Sequence, residues 1–289
     1  MIQKIIAKKY LTDKQGDELK TKFLDNSSFD TLITSDCDAY DTAGNLLFRF
    51  RKNIIPIDIL NIGYNAFKDS ITLTDGRGTA AGGNHKRIRK DGSTSNISIA
   101  NKVLSGNVGY MDSGAMVKYC RKTAFAREYF DKFNAGIPFV EFISNLYAEL
   151  CPTHYESQRK ISNGTDINYM IGSSVFTTVT VNRNFQTAVH KDAGDYSKGF
   201  GNLCVYRQGH YDGAYFVLPE YRIAIDLHST DMLFADVHRW HGNTAFENMS
   251  KDYNRTTFVL YYREYMVQCK SPSEELFNIK MNQTGYLKL

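Results

Sequence analysis

His190 and Asp192 stand two residues apart in the run His190-Lys191-Asp192, just after a segment rich in β-branched residues. On an extended chain, positions i and i+2 face the same way, so an imidazole and a carboxylate here converge on one point. A metal ion needs a further ligand from elsewhere in the chain. His241, directly ahead of Gly242 at the end of a later apolar run, meets that need, with His238 as its rival. Two histidines and one carboxylate form a facial set that suits non-haem Fe(II) and leaves coordination positions open. Arg255 lies on the next β-rich run. A guanidinium there can grip a carboxylate through two parallel hydrogen bonds. The order H-x-D, distal histidine, then arginine is far more specific than any of its pieces. His154, His210 and His228 have no partner pattern and read as ordinary histidines.

These residues need a scaffold of strands. From about residue 174 the chain runs SSVFTTVTVNRN, NLCVYR, GAYFVLP, RIAIDL, DMLFADV and RTTFVLYYREYMV, broken by Gly, Asp and Asn turns. Short strands at close intervals without helices between them predict a sandwich or jelly roll. Upstream the pattern is mixed. Residues 31–51 read as a hairpin around Asp41-Thr42-Ala43-Gly44-Asn45, and 57–67 are apolar at helical spacing. A helix is predicted over 114–132. Another begins after Ile137-Pro138 and keeps the 3.6 period until Pro152 ends it. Residues 1–30 are polar and predict a short helix and loops. The expected fold is α+β, with a β jelly-roll core over about 174–268 and helices packed outside it. Residues 1–69 read as an N-terminal extension and 70–289 as the catalytic domain.

The chain has 289 residues, 35 Lys+Arg and 31 Asp+Glu, a formal net charge of +4. With 42% hydrophobic and 23% charged residues it is neither disordered nor a coiled coil. No apolar run has the roughly 18 residues of a membrane span. The N-terminus lacks the apolar core of a secretory signal, so a soluble intracellular protein is expected. The five cysteines at wide spacing read as reduced, mostly buried thiols. The charge is uneven. Between Arg77 and Lys122 nine basic residues face only Asp91 and Asp112, so this window is +7 and the rest of the chain −3. It opens with GRGTAAGGNHKRIRKDGSTSN, a loop composition. A basic loop holding Arg77, Lys86, Arg87, Arg89 and Lys90 suits contacts with nucleic-acid phosphates.

The chain resembles the TET/JBP family of 2-oxoglutarate- and Fe(II)-dependent nucleic-acid base dioxygenases, over about Gly76 to Met266. FTTVTVNRNFQTAVHKDAGD with GFGNLCVY, ADVHRWHGNT, and NRTTFVLYYRE look like its metal, distal-histidine and arginine segments. RGTAAG, VGYMD, CRKTAF and AELCPTHYESQ resemble segments of its JBP-like and viral branch. The resemblance implies a double-stranded β-helix, the cupin-like jelly roll. It implies Fe(II) on His190, Asp192 and His241. It places the distal carboxylate of 2-oxoglutarate on Arg255, with Thr257 beside it and Arg121 at the cosubstrate's other end. The cysteine-rich zinc region of the vertebrate members has no counterpart here, and the Arg77–Arg89 loop is expected to take over its DNA contacts.

The implied reaction oxidises a C5-methyl group of a DNA pyrimidine, consuming O2 and 2-oxoglutarate and releasing succinate and CO2. A methyl inside a duplex cannot reach buried iron, so the base must be flipped out or single-stranded. Tyr261 is placed to stack on that base, and Asp195 and Arg263 to bond its edge. The Asp/Arg pairing looks more like the thymine-hydroxylating branch, giving 5-hydroxymethyluracil. The alternatives are a 5-methylcytosine dioxygenase and a 2-oxoglutarate oxygenase acting on protein or a small molecule. A plain Asp195–Arg263 ion pair is the structural alternative for those two residues. Oligomeric state has no signal in the sequence.

Overall fold

The computed structural model of the chain describes residues 2–83, 85–114 and 117–283, without the side chains of 85–87, 95–99 and 282–283. Two sheets enclose the interior. The larger runs in the order Gln3–Ala7, Cys37–Asp41, Leu46–Arg51, Met232–Ala235, Gly201–Gln208, Asn254–Tyr261, Thr178–Arg183, Val103–Met111, Thr72–Thr74, and the short Arg121–Lys122 strand joins it at Val103–Met111. The smaller is Gly242–Asn243, Phe216–Leu218, Ile223–Ile225, Thr31–Ile33. This is the expected jelly roll with helices outside.

Strand alternation sorts the side chains between the two faces of the large sheet. On Asn254–Tyr261, Phe258 and Leu260 point outward and are fully buried. They pack in one cluster with Leu60 and Phe67 of helix Ile57–Phe67, and with Phe139, Val140, Ile143 and Tyr147 of helix Ile137–Leu150. Gly63 lets these two helices meet: a Cβ there would sit 2.6 Å from the Phe139 ring. The alternate positions Arg255, Thr257, Val259 and Tyr261 face inward and line a cavity. Thr180 and Asn182 of the neighbouring strand line it too.

Residues 1–69 do not stand apart as an extension. Leu46–Arg51 pairs with Met232–Ala235, so the first part of the chain continues the large sheet. Thr31–Ile33 pairs in parallel with Ile223–Ile225 and continues the small one. Both jelly-roll edges would otherwise expose unpaired backbone, and these N-terminal strands cover them. Gln3–Ala7, within the segment expected to be helix and loops, is also a strand.

Three further expectations are corrected. The single helix over 114–132 is instead the strand Arg121–Lys122 followed by helices Ala124–Glu128 and Phe130–Ala135. Thr123 breaks the pattern by capping the first of them, its hydroxyl accepting from Ala126 N–H. The basic loop is a β-hairpin, His85–Ile88 with Thr94–Ile99, turning at Asp91-Gly92 where Gly92 takes φ +79°. Cys120 and Cys269 form a disulfide, 149 residues apart in sequence with Cα atoms 5.7 Å apart. Such a pairing depends on the fold and leaves no spacing signal. Cys37, Cys151 and Cys204 are free and buried. Among the described residues no helix is long and apolar enough to cross a membrane.

Candidate metal and cosubstrate site

Two backbone hydrogen bonds join the distant histidines. His190 N–H donates to the His241 carbonyl at 2.9 Å, and His241 N–H returns the bond at 3.0 Å. Asp192 N–H donates to the Val237 carbonyl at 3.0 Å, which fixes the next turn of chain. The ligand atoms of His190, Asp192 and His241 then all lie within 4.8 Å of one another. His190 Nε2 is 3.3 Å from Asp192 Oδ1. His190 Nδ1 donates to the Ala188 carbonyl at 2.8 Å, and His241 Nδ1 to the Arg239 carbonyl at 3.0 Å. With Nδ1 so engaged, Nε2 carries the free lone pair in both rings, as in metal-ligating histidines generally. His238 does not join them; its Nε2 bonds the Tyr196 carbonyl.

Burial works against charge on Asp192. The adjacent His190 ring, then the fields of His241 and Arg77, outweigh it and hold the carboxyl below its ordinary range. Burial, aided by His190, pushes His241 down to about 4. A neutral imidazole beside an ionised carboxylate is the protonation state a divalent cation requires.

Arg255 lies across the same cavity, 5% exposed. Its backbone N–H is held by Asn184 Oδ1 at 2.7 Å, and its Nη1 donates to Thr257 Oγ1 at 2.6 Å. Burial lowers its hold on the proton, partly opposed by Tyr211. Among the described residues no carboxylate forms an ion pair with it, so a buried guanidinium faces a cavity of about 410 Å³. An unpaired buried cation is costly and calls for an anion. The donor set therefore fits both groups: two imidazoles and a carboxylate for Fe(II), and a waiting guanidinium for a carboxylate of 2-oxoglutarate.

Arg121 is not in this cavity. It sits beyond the Val103–Met111 strand, its Nη1 donating to the Asp112 and Tyr119 carbonyls at 3.3 Å. Arg77, expected at the DNA surface, lines the iron cavity instead. Its Nη1 is 3.4 Å from Asn107 Oδ1, and its Nε is buried with no hydrogen-bond partner. The short helix Gly78–Ala81 draws it inward, because Ala188 N–H donates to the Ala80 carbonyl at 2.8 Å.

Asp195, Tyr261 and Arg263 line the same cavity. Asp195 and Arg263 are backbone neighbours across an antiparallel bridge. The arginine's ion pair, however, is with Asp112, Nε to Oδ1 at 2.7 Å. Burial, with the nearby charge of Asp192, raises Asp195 well above the usual carboxylate range, against the pull of Arg263 and Arg77. Asn107 belongs with this group and is absent from the sequence expectation. It faces Thr180 across the strand pair, whose hydroxyl donates to its Oδ1 at 3.0 Å. The signal available was alternation: Ser105, Asn107 and Met111 share one face of a strand ending in the VGYMD segment. Lys86 and Arg87 lie outside the described side chains, while Arg89 and Lys90 are exposed at the hairpin turn.

A jelly roll with a His–Asp–His cluster facing a buried arginine is the arrangement of the 2-oxoglutarate- and Fe(II)-dependent dioxygenases. The chain belongs to the Tet_JBP family, the oxygenase domain of the 2OGFeDO superfamily, whose family model matches residues 107–264. It is 38% identical over 162 residues to a bifunctional helicase and thymine dioxygenase JBP2 of Trypanosoma brucei brucei (strain 927/4 GUTat10.1), covering 55% of this chain and 15% of that one. It is 34% identical over 185 residues to a thymine dioxygenase JBP1 of Trypanosoma brucei brucei, covering 59% and 22%. The matched part thus spans less than a quarter of either relative. Among solved structures, NgTET1 in complex with 5mC DNA superposes with a TM-score of 0.57 over 86% of both chains at 12% identity, which shows the shared fold.

Proposed function

We propose that this chain hydroxylates the C5-methyl group of a DNA pyrimidine, thymine before 5-methylcytosine, using Fe(II), 2-oxoglutarate and O2. The observation that carries the reading is one cavity holding both the metal cluster and a separate polar set suited to a base, Asp195, Asn107, Tyr261 and Arg263. An oxygenase acting on protein or a small molecule has no evident use for that second set. His190, Asp192 and His241 hold the iron, and Arg255 with Thr257 binds the distal carboxylate of 2-oxoglutarate. Arg77 takes the cosubstrate-facing role first given to Arg121. Bound iron supplies the oxidising chemistry, turning 2-oxoglutarate and O2 into succinate, CO2 and an oxygen atom for the methyl group.

The protein orients and encloses. A cavity of about 410 Å³ among packed strands admits a base and no duplex, so the pyrimidine enters flipped or single-stranded. Burial and the nearby charge of Asp192 favour the protonated form of Asp195, and in that form the carboxyl both donates and accepts a hydrogen bond. That matches the N3–H and adjacent carbonyl of thymine. Rotated, it also matches the amine and N3 of 5-methylcytosine. Arg263 spends Nε on Asp112 and also contacts Tyr261, and its guanidinium is the donor offered to a base carbonyl. Since the polar inventory admits both bases, the thymine preference rests on the likeness to the thymine dioxygenases. Arg89 and Lys90, exposed on the hairpin, meet phosphates. The test is succinate formation from Fe(II) and 2-oxoglutarate with and without DNA. DNA stimulating it is the expected result; a rate indifferent to DNA overturns the reading.

A further inference from the structure

Arg121, Lys122 and Arg127 remain without a role in the iron cavity, yet they line a groove that adjoins it. A groove of about 570 Å³ shares Gly76, Arg77, Asn107 and Met111 with that cavity. At its far side the groove shares Arg121, Lys122 and Arg127 with a pocket of about 730 Å³ floored by Tyr119, Phe130, Phe133 and Tyr169. Three spaces therefore adjoin in series, each sharing wall residues with the next: metal site, basic groove, aromatic pocket. Thr72, Thr74 and Ser105 add hydroxyls along the groove.

The charges along this path are unequal in availability. Among the described residues its carboxylates outside the iron cavity are Asp69, Glu128 and Glu275. Asp69 is paired with Lys132 at 2.5 Å; Glu128 engages Nη2 of the exposed Arg127 at 2.8 Å, a surface pair that a phosphate can share or displace. Glu275 accepts from the backbone N–H groups of Cys120 and Lys270 with its two oxygens. Arg121 bonds only carbonyls, and the Lys122 ammonium lies 4.9 Å over the Phe130 ring. Tyr129 and Phe130 are 49% and 50% exposed, large aromatic surface left in water beside these cations. Cations tracking a groove with exposed rings beside them are the common design for unpaired nucleic acid: phosphates meet the charges and bases stack on the rings.

We propose that the strand carrying the target base leaves the iron cavity past Gly76 and Met111 and lies as a single strand along this groove. Its phosphates meet Arg121, Lys122 and Arg127, and an unpaired flanking base rests on Phe130 in the aromatic pocket. The inference rests on the base-oxidation reading for what enters the cavity. It adds that one flank of the target is held unpaired, which makes single-stranded or locally opened DNA the bound form. It also accounts for Arg121 lying outside the iron cavity.

The test measures binding of a labelled single-stranded oligonucleotide to the full chain across a salt series, for the wild type, the Lys122→Ala/Arg127→Ala double variant and Phe130→Ala. All three side chains are exposed, and thermal melting of each variant checks that the fold is kept. Loss of two phosphate contacts lowers the slope of log affinity against log salt by about 1.4. Phe130→Ala weakens binding about tenfold with the slope unchanged. In turnover the double variant raises KM for the oligonucleotide and leaves kcat alone. An unchanged slope in the double variant, or tighter binding of a fully paired duplex than of the single strand, overturns the proposal. Binding needs no chemistry, so the two readings fail separately. A wild type that shows the predicted slope loss in its variant yet oxidises no base sinks base oxidation alone.

Discussion

The Asn254–Tyr261 strand and the Arg77–Lys122 window both carry residues expected to do chemistry, and they fared differently. On the strand, Arg255, Thr257 and Tyr261 were expected at the site, and all three line the iron cavity with Arg263 just beyond. In the window, Arg77 was expected at the DNA surface and Arg121 at the cosubstrate. The structure places them the other way, Arg77 in the cavity and Arg121 outside it. The strand is held on both sides, by Thr178–Arg183 and by Gly201–Gln208. Its residues therefore have only two directions available, and period-two spacing picks one. The window is a short 3-10 helix, a hairpin, the strand Val103–Met111 and a two-residue strand in succession. Each junction reorients the chain, and charge composition says nothing about the direction.

The difference can be broken or sharpened by substitution. Asp192→Ala removes a ligand and should abolish succinate formation, a loss on the order of a thousandfold or more, while DNA binding persists. Next comes Arg255→Met, which leaves a cosubstrate carboxylate without its buried partner. The KM for 2-oxoglutarate should rise about a hundredfold, read by succinate assays. Arg77→Met should raise that KM too, and Arg121→Met should not; equal effects from both would erase the contrast. At Asp195 the neutral form matters. Asp195→Asn keeps a donor and an acceptor and should cost only a few-fold in kcat/KM, whereas Asp195→Ala should cost about 10- to 100-fold. Because its pKa is raised, the wild-type carboxyl loses its proton only as pH climbs through that raised value, and kcat/KM should fall there; the Asn variant should lack that limb.

Two smaller effects follow from the periphery of the site. His241 gains its proton as pH falls through about 4, so iron should be gone below that value. Metal analysis after equilibration at stepped pH measures this. On the hairpin, Arg89→Glu/Lys90→Glu should weaken binding of the same oligonucleotide and flatten its salt slope by about 1.4, with kcat unchanged.

The legible part of the molecule is what pattern alone determines. The C-terminal strands, helix Ile57–Phe67 and helix Ile137–Leu150 follow from spacing and end signals. The His190–Asp192–His241 cluster follows from an i, i+2 pair and a family-like order of segments. What was hidden depends on long-range partners. Thr31–Ile33 and Leu46–Arg51 looked like a free hairpin region because nothing local shows that jelly-roll edges need covering. The Cys120–Cys269 bond joins segments with no spacing cue. Asn107 has an unremarkable sequence context, and only its pairing opposite Thr180 brings it to the cavity. Asp195 and Arg263 were correctly neighbours, but Asp112, acidic and buried, took the ion pair.

The most direct test is one incubation of the protein with Fe(II), 2-oxoglutarate and DNA containing both thymine and 5-methylcytosine, followed by nucleoside mass analysis. The account predicts 5-hydroxymethyluridine as the deoxynucleoside in excess over any oxidised 5-methylcytosine, formed in step with succinate and absent with Asp192→Ala. Oxidised 5-methylcytosine in excess would reverse the base preference. Succinate without any oxidised nucleoside would contradict the assignment of the cavity to a DNA base.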